Sequence, residues 1–208
     1  MLRTLLRRAE RLLDHAAIQS MADLASGGKF RAMQVITYGH YVRERFKSQA
    51  LELIDIYGRL DAWYSMATAV ERYNMSFPVF IAQEEPHIEA HSLYHILLSD
   101  PVAYDIRLDR QKNFLFLTGA NMAGKSTFIR AVGVAVFLAH LGMGVPAQSL
   151  RLSLFDGVLS NINVMDNIAK GESYFFNEVQ RIRDTLVKIS DRKKWLVLID
   201  ELFKGTNV

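Results

Sequence analysis

The sequence contains no cysteine, so it can form neither a disulfide framework nor a thiolate metal site. This excludes the usual secreted scaffolds and zinc fingers, and a reducing cytoplasm is the expected location. Long hydrophobic runs are also missing, since Ala131–Val145 is shorter than the roughly 18 to 20 residues that span a bilayer, and His140 interrupts it. Met1-Leu2-Arg3 starts an arginine-rich segment without the apolar region of a secretory signal. We therefore expect neither export nor a membrane partner.

A strong charge of one sign is absent as well. The net charge of +3 is too small to indicate nucleic-acid binding by itself. The charge is unevenly placed, however, because residues 1–47 hold nine Lys or Arg against four Asp or Glu, an excess of five. Such a patch attracts phosphate backbones. The simpler interpretation is a solvated helix face, and the sequence leaves both open.

Two apolar patterns predict helices over residues 1–75. The first is a stripe with three- and four-residue steps, made of Leu2, Leu5, Leu6, Ala9, Leu12, Leu13 and Ala16. The second is a heptad seam made of Val42, Phe46, Gln49, Leu53, Ile56, Leu60, Trp63, Ala67 and Val70. An antiparallel partner helix in the same chain is favoured over a second chain. This region carries no evident chemistry.

Strands and helices alternate in the rest of the chain. Prolines at positions 78, 86 and 101 exclude one continuous helix, so we expect short strands and turns there. The elements predicted beyond them are a strand, a helix, a second helix and a second strand, at Asn113–Thr118, Lys125–Leu141, Tyr174–Ile189 and Trp195–Ile199. This alternation predicts an α/β fold with a largely parallel sheet covered on both faces.

A glycine-rich loop lies between the first predicted strand and helix. It consists of Gly119, Ala120, Asn121, Met122, Ala123, Gly124, Lys125 and Ser126, followed by Thr127. The glycines let backbone N–H groups turn toward an anion, and the helix that starts near Lys125 adds its positive end. We expect Lys125 to reach the β- and γ-phosphates of ATP and Ser126 to ligate Mg²⁺. The competing interpretation is a tight glycine turn ahead of a core helix.

Two carboxylates end the last predicted strand. Asp200 and Glu201 directly follow Trp195–Ile199, and Asp200 follows Lys125 by 75 residues. An apolar strand of this form delivers one carboxylate to the metal and the next to the attacking water. We predict Asp200 as a Mg²⁺ ligand and Glu201 as the general base.

These segments resemble the ATPase domain of the MutS family of DNA mismatch-repair proteins. The resemblance rests on Thr118–Thr127, whose Asn-Met pair general P-loop proteins lack, and on Asp105–Leu108, Gly144–Ala147 and Asp200–Asn207 in matching order. It implies a P-loop NTPase domain of the ABC type over residues 76–208. The helices of residues 1–75 are compatible with the family's core and lever region.

The resemblance also implies an activity and partners. Such a protein hydrolyses ATP and couples closure of two subunits to binding of mismatched or branched DNA. Gly171–Glu178 is similar to the signature helix that each subunit offers to the other's γ-phosphate, so Ser173 would act in trans. The partner subunit is then a second copy or a related MutS-like protein. Two alternatives stay open: another ABC-type DNA-maintenance ATPase, and a fragment that binds nucleotide without turnover.

The sequence departs from the family pattern at two places. The chain ends at Val208, before the strand and histidine switch that the family places after the two carboxylates. We therefore expect an incomplete hydrolytic site. The family's adenine-stacking aromatic residue has only Pro101 and Val102 as nearest counterparts, with Tyr104 close by.

Histidines offer one competing site. His87, His91 and His95 are four residues apart, which on a helix is a spacing that holds zinc. Because Pro86 and the resemblance both indicate extended and turn structure, the three imidazoles are expected to diverge. His140 lies in an apolar helix, and we predict a hydrogen-bonded core histidine there.

Overall fold

The computed structural model describes residues 1–27, 30–162 and 174–200. The chain divides into two compact units, Met1–Ala67 and Thr68–Val208. Among the described residues, every helix is too short or too polar to span a bilayer.

Helices account for most of the first unit, as the apolar patterns predict. They are α1 (Leu2–Leu13), α2 (Ala16–Gly27), α3 (Ala32–Glu44) and α4 (Lys47–Arg72). The seam positions Phe46 and Ile56 are buried. The patterns miss the breaks between the helices: α1 ends where the Asp14 N–H donates to the carbonyl of Glu10 at 2.8 Å.

Polar contacts connect the helices of this unit. The Arg8 guanidinium of α1 donates to both carboxylate oxygens of Glu52 on α4, at 2.6 and 3.1 Å. The Tyr41 hydroxyl lies 2.9 Å from Nδ1 of His15, and its ring stacks on Phe46 with centroids 6.0 Å apart. Side chains outside the buried seam therefore contribute to the packing of these helices.

Six strands and two helices follow in the described part of the second unit. The strands are β1 (Val79–Phe80), β2 (Ile88–Leu93), β3 (Tyr104–Leu108), β4 (Ser149–Leu152), β5 (Gly157–Asn161) and β6 (Trp195–Ile199). The helices are α5 (Lys125–His140) and α6 (Tyr174–Ile189). The predicted helices of this region and its last strand are confirmed, and so are the short strands expected around the prolines.

The prediction of a P-loop NTPase fold of the ABC type with a largely parallel sheet is wrong for this structure. The first sheet is mixed, with strand order β1-β4-β2-β3, and only its β1–β4 pair is parallel. β5 and β6 form a separate two-stranded parallel sheet. A loop without a helix connects β2 to β3. Such a loop lets the two strands pair antiparallel, whereas parallel neighbours need a longer crossover connection, which is usually a helix.

The predicted strand Asn113–Thr118 is also wrong. These residues adopt no strand, and the side chains of Phe114 and Phe116 are 79% and 73% exposed. The apolar run indicates a strand by composition, but a strand also needs a neighbouring strand with which its backbone groups can pair. The described strands supply no such pairing for this segment.

One apolar core holds the second unit together. β2 alternates between buried and more exposed positions up to Ser92, whose φ of 48° accompanies a shift of register against β3. α5 packs closely on β6, because a Cβ on Gly133 would lie 2.5 Å from Cδ1 of Leu198. The buried apolar residues of the core are Ile88, Ala90, Leu93, Ile106, Val132, Ala135, Val136, Ala139, Val145, Ala147, Leu150, Leu152, Leu196 and Leu198.

Candidate functional site

The glycine-rich loop turns directly into helix α5. Gly124 precedes the helix in the left-handed conformation (φ 88°, ψ 11°), which glycine adopts without the steric cost of a Cβ. Met122 also has a positive φ, of 67°. The Ala123 N–H donates to the carbonyl of Ala120 at 3.3 Å, which closes the turn. The loop is exposed, and the first-turn N–H groups of α5 have no acceptor inside the helix.

The Lys125 side chain folds back over this loop. Its ammonium group donates to the carbonyl oxygens of Gly119 and Ala120, both at 2.8 Å. Ser126 and Thr127 follow in the first turn of α5 and are half-buried. The loop thus surrounds a cation at a helix N-terminus, an arrangement suited to a phosphate group.

Lys125 and Asp200 line the same cavity. Its volume is about 770 Å³, and its wall includes residues of α5, α6 and β6 and the segment 113–117. Asp200 follows β6 and is half-buried. The structure therefore places a cation and a carboxylate that are 75 residues apart in the sequence on the wall of one cavity.

Asn161 holds the backbone of Asp200 in place. The sequence patterns do not identify Asn161 as a residue of the site. Its carbonyl accepts the Asp200 N–H at 3.2 Å, while its side-chain amide donates to the Thr185 hydroxyl at 3.0 Å. That hydroxyl in turn donates to the carbonyl of Arg181. Asn161 thereby connects β6 to α6 through β5. An asparagine at a strand end is common, so this role has no signal in the sequence.

A second carboxylate lines the cavity at Asp109. The backbone N–H of Lys112 donates to its carboxylate and lowers the pKa of Asp109, with further hydrogen bonds from Gln111 and Arg107. Asp109 is thus engaged in a tight turn with three donors. The Asp109 carboxylate therefore stabilises its own turn. At Asp200, by contrast, Asn161 holds the backbone N–H and not the carboxylate.

Two predicted site residues, Ser173 and Glu201, lie outside the described residues. Tyr104, the aromatic residue near the expected adenine contact, packs its ring on Phe128 with centroids 4.7 Å apart. Its hydroxyl is buried, and burial raises the pKa of Tyr104. Tyr104 therefore serves the core of the second unit.

The segment that holds His87 and His91 is extended, as the sequence predicts. His91 lies on β2 and His87 directly precedes that strand, and no cluster of three His, Asp or Glu side chains in the described ranges could hold a metal ion. His140 is hydrogen-bonded, as predicted, and lies half-buried at the end of α5. Its Nδ1 lies 2.8 Å from the carbonyl of Val136, and its Nε2 accepts the N–H of Phe155 at 2.9 Å, which places the ring proton on Nδ1.

The comparisons with known proteins agree on one family. Residues 115–208 match the family model of MutS domain V. The chain is 34% identical to the DNA mismatch repair protein MutS of Thermotoga maritima over 166 residues, which is 79% of this chain and 21% of that protein. It is 36% identical to the protein of the same name from Thermosipho melanesiensis over 149 residues, or 71% of this chain and 18% of that protein.

A third relative, from Pseudothermotoga lettingae, is 32% identical over 159 residues and carries the same name. Together the matches show that the chain is similar to proteins of the MutS family. The chain spans about a fifth of the length of these curated relatives.

Proposed function

We propose that this chain binds Mg²⁺ and ATP at the glycine-rich loop and hydrolyses ATP as part of a MutS-like DNA mismatch-repair assembly. The observation that carries the proposal is that Lys125, whose ammonium lies 2.8 Å from two loop carbonyls, shares a cavity with Asp200. The similarity to MutS proteins supports the same conclusion.

The loop fits a triphosphate. Its exposed backbone and the N-terminus of α5 offer N–H donors, and glycine at positions 119 and 124 permits the positive φ angles of the turn. Binding then requires Lys125 to exchange its two carbonyl contacts for phosphate oxygens. This exchange costs little reorganisation, because the ammonium group already lies over the loop.

The donor set also fits Mg²⁺, which prefers hard oxygen ligands. The Ser126 hydroxyl and the Asp200 carboxylate are the proposed ligands, and the bound ion would neutralise charge on the phosphates. Glu201 orients the attacking water and accepts its proton. Ser173 comes from a second subunit, either a copy of this chain or a related MutS-like protein, and contacts the γ-phosphate. The whole assembly binds mismatched or branched DNA.

Replacement of Lys125 tests nucleotide binding. Lys125→Ala should weaken binding of a fluorescent ATP analogue by about 10- to 100-fold, since hydrogen bonds to charged groups contribute roughly 1.5–3 kcal/mol. The control is Lys112→Ala, which removes an exposed lysine and retains the backbone turn to Asp109. Equal affinity of Lys125→Ala and the parent chain would contradict the proposed phosphate site.

Replacement of Glu201 separates binding from turnover. Glu201→Gln should retain the affinity for the ATP analogue and lose hydrolysis by at least about 100-fold, because the amide cannot accept the proton of the attacking water. Normal hydrolysis by this variant would exclude Glu201 as the base. A parent chain that binds ATP but does not hydrolyse it, even with a partner subunit present, would favour a nucleotide-binding fragment.

A further inference from the structure

Helix α1 carries a stripe of three arginines on one face. Arg3, Arg7 and Arg11 are four residues apart, so their Cα atoms follow one another at intervals of about 6 Å along the helix. All three side chains are exposed. α1 contains four arginines and a single acid, Glu10, so the helix is strongly basic.

The fourth arginine of α1, Arg8, has a structural role, because it pairs with a carboxylate on another helix. Arg8 donates to both carboxylate oxygens of Glu52 on α4. By contrast, none of the three guanidinium groups of the stripe lies within 4 Å of a carboxylate in the described part of the chain. The stripe therefore contributes no ion pair to the packing of the described helices.

The apolar side of α1 points away from the stripe. Leu12 is 8% exposed, and Leu5 and Ala9 are half-buried. At 100° per residue, Leu12 lies on the face opposite to Arg3 and Arg7. Packing of the apolar side thus leaves the guanidinium groups available to solvent.

We propose that the stripe of Arg3, Arg7 and Arg11 binds the phosphate backbone of duplex DNA without sequence preference. The guanidinium fork matches phosphate oxygens in two-pronged hydrogen bonds. The stripe is about 12 Å long, which corresponds to three or four phosphates along one DNA strand. This inference rests on the proposed function in one respect, since it takes DNA as the polyanion that the stripe binds. It does not depend on the nucleotide site.

An anionic membrane is the competing surface for a basic amphipathic helix. Membrane binding of this type requires the apolar face to insert among the lipids. In α1, Leu12 is buried, Leu5 is half-buried and Arg8 connects the helix to α4, so only Leu2, Leu6 and Leu13, which are 43–52% exposed, remain for insertion. Contact with phosphates needs no insertion, so the geometry favours DNA.

The test is the salt dependence of DNA binding by the full chain. A triple variant, Arg3→Gln, Arg7→Gln and Arg11→Gln, is compared with the parent by fluorescence anisotropy on a 20-base-pair duplex without a mismatch. The slope of log K against log salt is negative, and each lost phosphate contact reduces its magnitude by about 0.9, so the magnitude should fall by about 3. Affinity at 0.1 M salt should fall at least tenfold, as estimated from the same relation.

A matched triple variant removes the same net charge elsewhere. Arg59→Gln, Arg72→Gln and Arg183→Gln change exposed arginines that do not form one stripe, and the slope should stay within about 1 of the parent value. Glu10→Gln removes the acid of α1 and should raise affinity about two- to threefold by the same electrostatics. Equal losses in both triple variants would overturn the proposal, because net charge alone would then explain binding.

Two further measurements, of vesicle binding and of nucleotide binding, distinguish the DNA stripe from a membrane surface and from the nucleotide site. Loss of binding to phosphatidylserine vesicles in the stripe variant, with DNA binding unchanged, would overturn the proposal in favour of a membrane surface. The stripe variant should bind the fluorescent ATP analogue with the affinity of the parent, because the wall of the cavity at Lys125 includes no residue of α1. Failure of the nucleotide site and failure of the DNA stripe are therefore separate results.

Discussion

The two units of this chain differ in how their apolar residues are buried. In the described part of the second unit, fourteen buried apolar residues form one core. In the described part of the first unit, only Leu12, Phe46 and Ile56 are buried to a similar degree. Leu51 and Ile54 on α4 remain 59% and 66% exposed. Helices of the first unit therefore gain less from apolar burial than the strands and α5 gain in the second.

This difference predicts unequal local stability. Segments with few buried contacts open at a lower free energy than a packed core. The helices of the first unit depend instead on helix propensity and on pairs such as Arg8–Glu52. In the second unit, by contrast, the candidate nucleotide site is built on core elements, since both α5 and β6 contribute buried residues.

The largest effect is expected for a truncation in the core. Leu152 on β4 is fully buried and is paired with both β1 and β2. Leu152→Ala should lower the free energy of unfolding of the second unit by about 2–5 kcal/mol, because it removes buried methyl groups and leaves a cavity. Urea denaturation followed by the fluorescence of Trp195, in a Trp63→Phe background that removes the signal of the first unit, measures the change.

Leu154 is the matched control, because it lies two residues further along the chain and is 63% exposed. Leu154→Ala should change the same free energy by no more than about 0.5 kcal/mol. Similar losses for the two variants would contradict a single core centred on β4.

Replacing one glycine in each unit by alanine should change the free energy of unfolding by less than Leu152→Ala, with a loss in the second unit and a gain in the first. Gly133→Ala places a Cβ 2.5 Å from Cδ1 of Leu198 and should cost about 1–3 kcal/mol through overpacking of α5 against β6. A Cβ added at Gly58, in α4, would instead meet no neighbouring atom within 4 Å. Gly58→Ala should therefore stabilise the helix by about 0.5–1 kcal/mol. Thermal melts followed by circular dichroism report both.

The sign of these two changes tests the comparison. Stabilisation by Gly133→Ala would show that α5 and β6 pack less closely than the structure indicates. Because β6 leads into Asp200, Gly133→Ala should also weaken ATP binding, whereas Gly58→Ala should leave it unchanged.

The sequence predicts local elements of this fold better than their pairing. α5, α6 and β6 follow from apolar periodicity and from the glycine and charged residues at their ends, which are local signals. Strand partners depend on contacts between distant residues, and no local pattern reports them. The apolar run at Asn113–Thr118 therefore predicts a strand that the described sheets do not contain.

The candidate site divides in the same way. The spacing of Gly119, Gly124 and Lys125 identifies the loop, and the structure places Lys125 at the start of α5. The carbonyl partners of Lys125 and the connection through Asn161 carry no signal, because backbone acceptors and a single asparagine do not form a motif. Chemical motifs are thus visible in the sequence, but the residues that position them are not.

The smallest predicted effect concerns the pair that connects α1 to α4. The hydrogen bond from Arg8 lowers the pKa of Glu52 below its ordinary value of 4.5. A lowered folded-state pKa means that the pair stabilises the helices above about pH 4.5 and that this contribution is lost as the pH falls through the folded pKa. Amide protection in α1, measured by hydrogen exchange, should therefore decrease in the parent as the pH falls below 4.5 and through the lowered pKa of Glu52. Glu52→Gln should lower protection at pH 6 and remove this dependence.

Asp55→Asn is the control, because it breaks the pair with Arg59 inside α4 and should leave the amide protection of α1 unchanged. Equal effects of the two variants would show that α1 does not depend on Glu52.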